Sequence, residues 1–443
     1  MELGQALLAA SIAPEAGLDL FSSELDLDTI RRALEATGTA TIRRRKLPAE
    51  HVVWIVVGMG LFRDRPVSAI ARHLNLVLPD ARRPRGIGQI TGGAIVQARD
   101  RLGSEPLDAL FGDTADNWAT ASADKHRWRG LVVYGLDGST LRIPDTEENE
   151  AVFGRPGASR GRSAYPQVRV VALMVLRSHI LAAFGFGPCT SSELKLAENL
   201  WPQIPDDSIT LLDRGFISYK VFHDIQSNGN NRHWLTRAKA KLKSRVIKRL
   251  GPGDVLVELP INRSLRRAHP ELPKTLQARA IRYQRRGFRR QTLLTSLLDP
   301  IRYPAAEIAE IYHERWELEI GFDEIKTHTL EREEALRSRA PERIRQELWG
   351  LAIGYNLVRV EIEHAAQRIG APPSRISYRA SLLMIRNFWL AAWQVETGNL
   401  PRRLDILHED IALNLLPPRR PRRYPRAVKI KMSNYPLNRG GLK

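Results

Sequence analysis

The segment AAEIAEIYHERWELEIGFDEIKTH, residues 305–328, predicts one long helix. Ile308, Ile311, Leu318, Phe322 and Ile325 recur at helical spacing and form a single apolar stripe. Tyr312, Arg315, Glu319 and Lys326 lie at offsets 0, 3, 7 and 14. At ~100° per residue these four fall within about 60° of one another, beside the stripe. A carboxylate is thereby flanked by two cations and a phenol. In isolation that is an ordinary solvated face, since an Arg315–Glu319 pair at i,i+4 contributes only about 0.2–0.5 kcal/mol. Trp316 and Phe322 read as core. His313 and His328 read as non-ligands, because hard cations prefer oxygen.

Two aspartates elsewhere give that face more weight. LVVYGLD (131–137) and SITLLD (208–213) are short β-rich apolar runs, and each ends in an aspartate, Asp137 and Asp213. A carboxylate at the C-terminal end of a core strand sits where a sheet opens to solvent. If both meet Glu319, three carboxylates can hold two Mg²⁺ or Mn²⁺ ions, which accept carboxylate oxygens together with phosphate and water. Two such ions activate a nucleophile and stabilise the leaving oxygen of an in-line phosphoryl displacement. The nearby acids read as less relevant: Asp206 and Asp207 as a turn, Asp145, Glu147 and Glu148 as solvated.

The charge is strongly positive and unevenly placed. The 443 residues carry 68 Lys and Arg against 49 Asp and Glu, a net +19. From Lys239 to Arg290 there are 16 basic residues against three acids, and from Pro417 to Lys443 nine against none. These two blocks exceed the whole excess, so the remainder is near neutral. A localised positive field of this kind selects a polyanion, and Tyr283 and Phe288 in the first block are candidates to stack on bases. Arg237 and Lys239 are further candidates to contact DNA. Neither block has the pattern of an amphipathic basic helix, so a membrane surface is not the expected partner. The longest apolar run, Val52–Phe62, is 11 residues and too short to span a bilayer, which needs ~20. The single cysteine, Cys189, excludes an internal disulfide framework and a cysteine-based zinc site, and fits a reducing compartment. With no basic stretch ahead of Leu7–Ala13, no secretory signal is expected, and a cytoplasmic protein is.

The element pattern is α/β. Residues 1–125 read as a helical N-terminal DNA-binding domain. Its helices fall at Leu47–Phe62, Pro66–Leu74 and Thr91–Leu102, with a basic linker (Arg82, Arg83, Arg85) between the last two; a helical DNA-contacting module and a plain bundle both fit. LVVYGLD, Gly138 and STLRI (139–143) read as a hairpin. Strands follow within Val168–Phe186, at Ser208–Leu212 and at His233–Arg237, with helices at Ser192–Trp201 and Ile217–Gln226. Residues 126–239 and 301–400 form the core, 240–300 a basic β-rich insertion, and 401–443 a basic tail, Pro/Arg-rich from Pro417.

With these motifs in place, the chain resembles the insertion-sequence-four family of bacterial DDE transposases. The spacing Y-x2-R-x3-E-x6-K is met by Tyr312, Arg315, Glu319 and Lys326. Asp137-Gly138-Ser139 resembles the family's first aspartate motif, and Asp213-Arg214-Gly215-Phe216 its second. The 106 positions from Asp213 to Glu319 accommodate the family's insertion. RRRKLP (43–48), QARDRLG (97–103) and PRAVKIK (425–431) are similar to its terminal regions.

The resemblance implies a ribonuclease-H-like catalytic core interrupted by the β-rich insertion. It implies that Asp137, Asp213 and Glu319 bind two Mg²⁺ or Mn²⁺ ions, and that Tyr312, Arg315 and Lys326 contact the DNA backbone. The implied activity is metal-dependent cleavage at the inverted repeats of a mobile element, followed by strand transfer to target DNA, carried out by a homodimer on double-stranded DNA near the nucleoid. Several members pass through a DNA hairpin and stack a flipped base on a tryptophan of the insertion. This chain departs there, with no Trp between Trp234 and Trp316; Tyr283 and Phe288 are the substitutes available. Two other readings stay open: a DNA-binding relic or regulator without catalysis, and a two-metal nuclease that cleaves without joining.

Overall fold

A computed structural model of the protein describes residues 24–40, 47–73, 90–158, 161–239, 242–285, 289–331, 335–392 and 400–417. The expectations on residues 43–46, Arg82–Arg85, Phe288 and the tail beyond Pro417 lie outside the described residues. The described residues form a nine-stranded sheet. Its strands are β1 (Val132–Arg142), β2 (Gln167–Val175), β3 (Leu181–Pro188), β4 (Ser208–Leu212), β5 (Arg232–Arg237), β6 (Arg245–Gly251), β7 (Asp254–Pro260), β8 (Thr275–Tyr283) and β9 (Gln291–Thr295). In space they run β3-β2-β1-β4-β5-β9-β8-β7-β6.

The first five strands set the fold class. β3, β2 and β1 are antiparallel, while β1, β4 and β5 are parallel. That 3-2-1-4-5 order is the ribonuclease-H-like arrangement. β4 is buried at every position, as a parallel strand covered on both faces should be. The basic insertion extends this sheet rather than standing apart: β9 pairs with β5 through Leu293–Arg237, Leu294–Thr236 and Thr295–Leu235. A buried ion pair fastens it. Arg279 on β8 is fully buried, donates to Asp254 on β7, and also donates to the carbonyls of Asp299 and Tyr303. The insertion is thereby tied to the chain that leads into residues 305–328.

The hairpin expected at Gly138 does not form. β1 runs straight through it, with Asp137 opposite Ala172, Gly138 opposite Val171 and Ser139 opposite Val170 on β2. Glycine is needed there for close packing, not for a turn: a Cβ on Gly138 would stand 2.5 Å from Cγ of Glu193. The long ladder with β2 outweighs the local turn signal, as tertiary pairing commonly does.

Helices α1 (Leu27–Ala36), α2 (Ala49–Leu61), α3 (Val67–His73), α4 (Gly92–Leu102) and α5 (Glu105–Ala123) precede the sheet. Later come α6 (Glu147–Phe153), α7 (Glu193–Ala197), α8 (Tyr219–Ser227), α9 (Ala305–Ile311), α10 (Trp316–Asp323), α11 (Pro341–Arg368), α12 (Tyr378–Ala392) and α13 (Leu400–Ala412). α11 is the central helix, buried without a break from Gln346 to Glu363. Beyond its first turn, from Val52 to Leu61, α2 is apolar and buried on every side, and it packs on α11. The two backbones meet at glycines: a Cβ on Gly350 would stand 2.6 Å from the Val56 carbonyl oxygen, and one on Gly60 2.9 Å from that of Gly350. Gly350→Ala is therefore expected to push the helices apart and cost about 1–3 kcal/mol, read as a lower denaturation midpoint. An unchanged midpoint would show that this crossing has slack. Arg99 of the 97–103 motif is buried and donates to Gln346, whose amide returns bonds to the carbonyls of Arg99 and Gly103.

Candidate active site

Strand register brings two carboxylates together. The parallel ladder pairs Gly135 with Leu211 and Leu136 with Leu212, after which β4 ends. Asp137 and Asp213 are the next residues on neighbouring strands, whose spacing is about 4.8 Å. Asp137 is thus not at the end of its own strand; it lies where its partner strand ends. β1 continues along β2, while the chain after Asp213 turns into one 3₁₀ turn, Arg214–Phe216.

The third carboxylate comes from the helical segment. α10 packs across β1, with Leu318 against Gly135, where a Cβ would stand 2.7 Å from the leucine side chain. Glu319 follows directly, its side chain 45% exposed, and its Oε1 accepts from Arg315 Nη2 at 3.3 Å. The expected single helix is in fact four pieces: α9, a 3₁₀ turn over Tyr312–Arg315, α10, and a π-helical stretch over Glu324–Thr329. The apolar stripe is buried throughout, so a tighter and then a wider turn change the pitch without moving the core face. Trp316 is a correction: it is 44% exposed, not core, and the Arg315 guanidinium lies 5.9 Å from its ring. Phe322 is buried as expected.

Arg315 is the electrostatic centre of the group. Its side chain is only 14% exposed. Burial disfavours its charge, yet the fields of Tyr312, Asp213, Glu319 and Asp137 prevail and raise its pKa. Burial pushes the Asp137 carboxyl up to about 6. The Gly138 amide, which donates to its Oδ1 at 2.8 Å, and Arg315 act the other way, while Glu193 and Asp213 add to the rise. The oxygens of Asp137, Asp213 and Glu319 do not all come within 4.8 Å of one another, so the cluster is open rather than closed.

Further groups surround the three. Burial raises the pKa of Tyr312, whose surroundings include Arg315, Asp213, Tyr283 and Arg237. Arg237 is the half-buried last residue of β5, and Lys239 two residues on is exposed. Tyr283 stands edge-on to His313 at 5.8 Å and donates to Gln291. Lys326 is half-buried in the π-helical stretch. Glu193 is a neighbour that the sequence alone does not single out. It lies against Gly138, and Arg169 holds its carboxylate at 3.0 Å. Its one sequence signal is an acid directly after the N-cap Ser192 of α7, beyond β3.

The family profile described as "Transposase DDE domain" matches residues 128–357, and that described as "Insertion element 4 transposase N-terminal" matches residues 15–112. The chain belongs to the insertion element 4 family of DDE transposases. It is 37% identical over 440 residues to "Transposase InsG for insertion sequence element IS4" of Escherichia coli (strain K12), covering 98% of both chains. It is 34% identical to "Putative transposase InsZ" of the same organism, over 61% of this chain and 92% of that one. A piggyBac transposase synaptic complex with hairpin DNA, solved by cryo-EM, matches 91% of this chain and 86% of that chain at 10% identity and a TM-score of 0.42.

In this transposase a buried polar network holds the signature helices in place. Glu324 at the head of the π-helical stretch pairs with Arg359 of α11 and accepts from the Tyr355 hydroxyl at 2.8 Å. His179 Nδ1 stands 2.6 Å from Arg359 Nη2 and 3.3 Å from Glu324 Oε2, and its Nε2 is 2.9 Å from Glu317 Oε2. His179, at φ +64° in the turn between β2 and β3, thus connects the sheet to α10. Burial works against the Glu324 charge, but Arg359 and His179 overcome it and hold its pKa at about 2. Among the described residues no helix is long and apolar enough to cross a membrane.

Proposed function

We propose that the transposase binds the inverted repeats at the ends of its own insertion element, cuts DNA there, and joins the freed ends to target DNA. The observation that carries this reading is the grouping of Asp137, Asp213 and Glu319 about Arg315. The donor set fits hard divalent cations: three carboxylates, one of them half-buried and pushed up to about 6 by desolvation. Asp137, Asp213 and Glu319 would hold two Mg²⁺ or Mn²⁺ ions. When bound, these supply Lewis acidity to the attacking and leaving oxygens of phosphoryl displacement.

The protein's own side chains do the rest. Arg315 and Lys326 grip phosphate by charge-assisted bonds, and Tyr312 contacts the backbone beside the cut. Arg237 and Lys239 extend that grip along the DNA. Strand β6, exposed along most of its length and carrying Arg245, Lys248 and Arg249, is a second phosphate surface. Residues 1–125 recognise the ends as a helical domain, residues 240–300 act as the basic insertion of the 126–239 and 301–400 core, and 401–443 as a basic tail. Two copies bridge the two ends, in the cytoplasm.

Incubating the full chain with labelled terminal repeats, a target plasmid and Mg²⁺ tests this. Joined products are expected. Cleavage without joining would favour a nuclease, and binding without cleavage a regulator. End binding is also expected to weaken by roughly 10³-fold or more between 50 and 200 mM salt if about six phosphates are contacted. A flat salt response would contradict a phosphate-dominated interface.

A further inference from the structure

A second cluster of ligand-type side chains uses none of the residues above. Glu361 and His364 stand at i,i+3 on one face of α11, and His408 faces them from α13. Ligand atoms of these three lie within 4.8 Å of one another. His408 Nε2 is 2.5 Å from Glu361 Oε2, and the two imidazoles meet edge to face at 5.7 Å. Glu24, just ahead of α1, reaches His364 Nε2 at 3.7 Å. The group is sheltered: the side chains of Glu361, His408, Glu24 and His364 are 3%, 12%, 16% and 37% exposed.

As a set of hydrogen bonds the cluster is incomplete. His408 Nδ1 is buried and has no hydrogen-bond partner among the described residues. Two carboxylates meet two imidazoles here, and Arg368, one turn beyond His364, is paired with Asp405 of α13.

We propose that Glu361, His364 and His408, with Glu24 as fourth ligand, form a structural Zn²⁺ site that ties the N-terminal segment and α13 to the central helix. The chemistry selects the ion. Imidazole nitrogens suit zinc, whereas Mg²⁺ prefers oxygen throughout. With Glu24 as fourth ligand, two histidines and two carboxylates would leave no open coordination position, as a structural rather than a catalytic site requires. The sequence motif agrees, because Glu-x-x-His on one helix is a recurrent metal-binding pair in helical proteins. A tetrahedral ion with ~2.0 Å bonds spaces its ligands by about 3.3 Å, so the ligand atoms of Glu361, His364 and His408, now within 4.8 Å of one another, would draw in by at most about 1.5 Å, while Glu361 Oε2 and His408 Nε2, now 2.5 Å apart, would separate by under about 1 Å. The three elements come from far apart in the chain, at residues 24, 361–364 and 408. One ion joining them would cross-link the start of the described chain, its core and the segment leading to the basic tail. The site is distinct from the Mg²⁺-type carboxylates in both residues and ligand chemistry.

The test is zinc itself. The full chain, stripped with EDTA and returned to buffer, is titrated with Zn²⁺ in competition with a chromophoric chelator. The expected result is one equivalent per chain with micromolar or tighter affinity, and a thermal midpoint raised by Zn²⁺ but not by Mg²⁺. His364→Gln and His408→Gln are each expected to weaken that affinity at least tenfold while keeping the wild-type circular dichroism. Asp137→Asn is expected to bind Zn²⁺ as the wild type does. No stoichiometric zinc in the wild type, or zinc affinity unchanged in both histidine variants, would overturn the proposal and leave the cluster as hydrogen-bonded pairs only.

Discussion

Asp137→Asn is expected to abolish Mg²⁺-dependent cleavage and joining, with a loss of at least about 10³-fold, while binding of terminal-repeat DNA stays within about threefold. The same change is expected to stabilise the metal-free protein. Burial lifts the Asp137 pKa from an ordinary 3.8 to about 6. Between those values the folded protein binds a proton that the unfolded chain does not. Stability of the metal-free wild type therefore falls as pH rises from about 4 to about 6, and the deficit persists at higher pH. The side chain is half-buried, so solvent trims the deficit to at most about 2–3 kcal/mol. Asparagine removes the charge and with it that deficit. Added Mg²⁺ is expected to raise the denaturation midpoint of the wild type at pH 8 and to do much less for the variant. Cleavage surviving in Asp137→Asn would remove Asp137 from the catalytic group. An unchanged metal-free midpoint would instead show that water already solvates the carboxylate.

Arg359→Met is expected to destabilise the fold by about 3–5 kcal/mol, more than Gly350→Ala does, because it leaves Glu324 charged and buried without its main cation. The pH dependence should reverse sign. In the wild type the Glu324 pKa is held at about 2, below its usual 4.5. Its contribution is fully present above pH 4.5 and is lost as pH falls toward 2. In the variant the carboxyl becomes a buried acid with a raised pKa, so stability declines as pH rises through that value. Glu324→Gln combined with Arg359→Met is expected to recover much of the loss, since it removes the stranded charge. Urea denaturation of the two variants from pH 4 to 8 measures both effects. If the double variant is no more stable than the single one, packing rather than charge carries the cost. Because Glu324 heads the turn that bears Lys326, activity is expected to fall with stability in Arg359→Met and to recover with it.

The chemistry-bearing residues of this transposase are legible one by one. Each aspartate closes a short apolar run, and the spacing from Tyr312 to Lys326 is dense enough to single out one helix face. The charge blocks are equally plain, since counting needs no structure. Gly138 shows the limit of local reading. An Asp-Gly pair between two β-rich runs signals a hairpin, but the 11-residue β1 takes its conformation from the ladder with β2, and the glycine is there because Glu193 fills the adjacent space. Trp316 shows another. A tryptophan near an apolar stripe reads as core, but the 3₁₀ turn before it and the Arg315 guanidinium beside it leave it half in solvent.

By itself, then, the sequence determined which side chains carry charge and oxygen ligands, and on which local periodicity they lie, because both depend on neighbours a few residues away. Only the tertiary structure decided that β4 stops level with Asp137 and that Leu318 docks on Gly135. It alone brought Glu193 in as a fourth acid and placed Glu324, Arg359 and His179 in one buried network. Those outcomes depend on register and packing between segments up to about 180 residues apart, which no local pattern encodes.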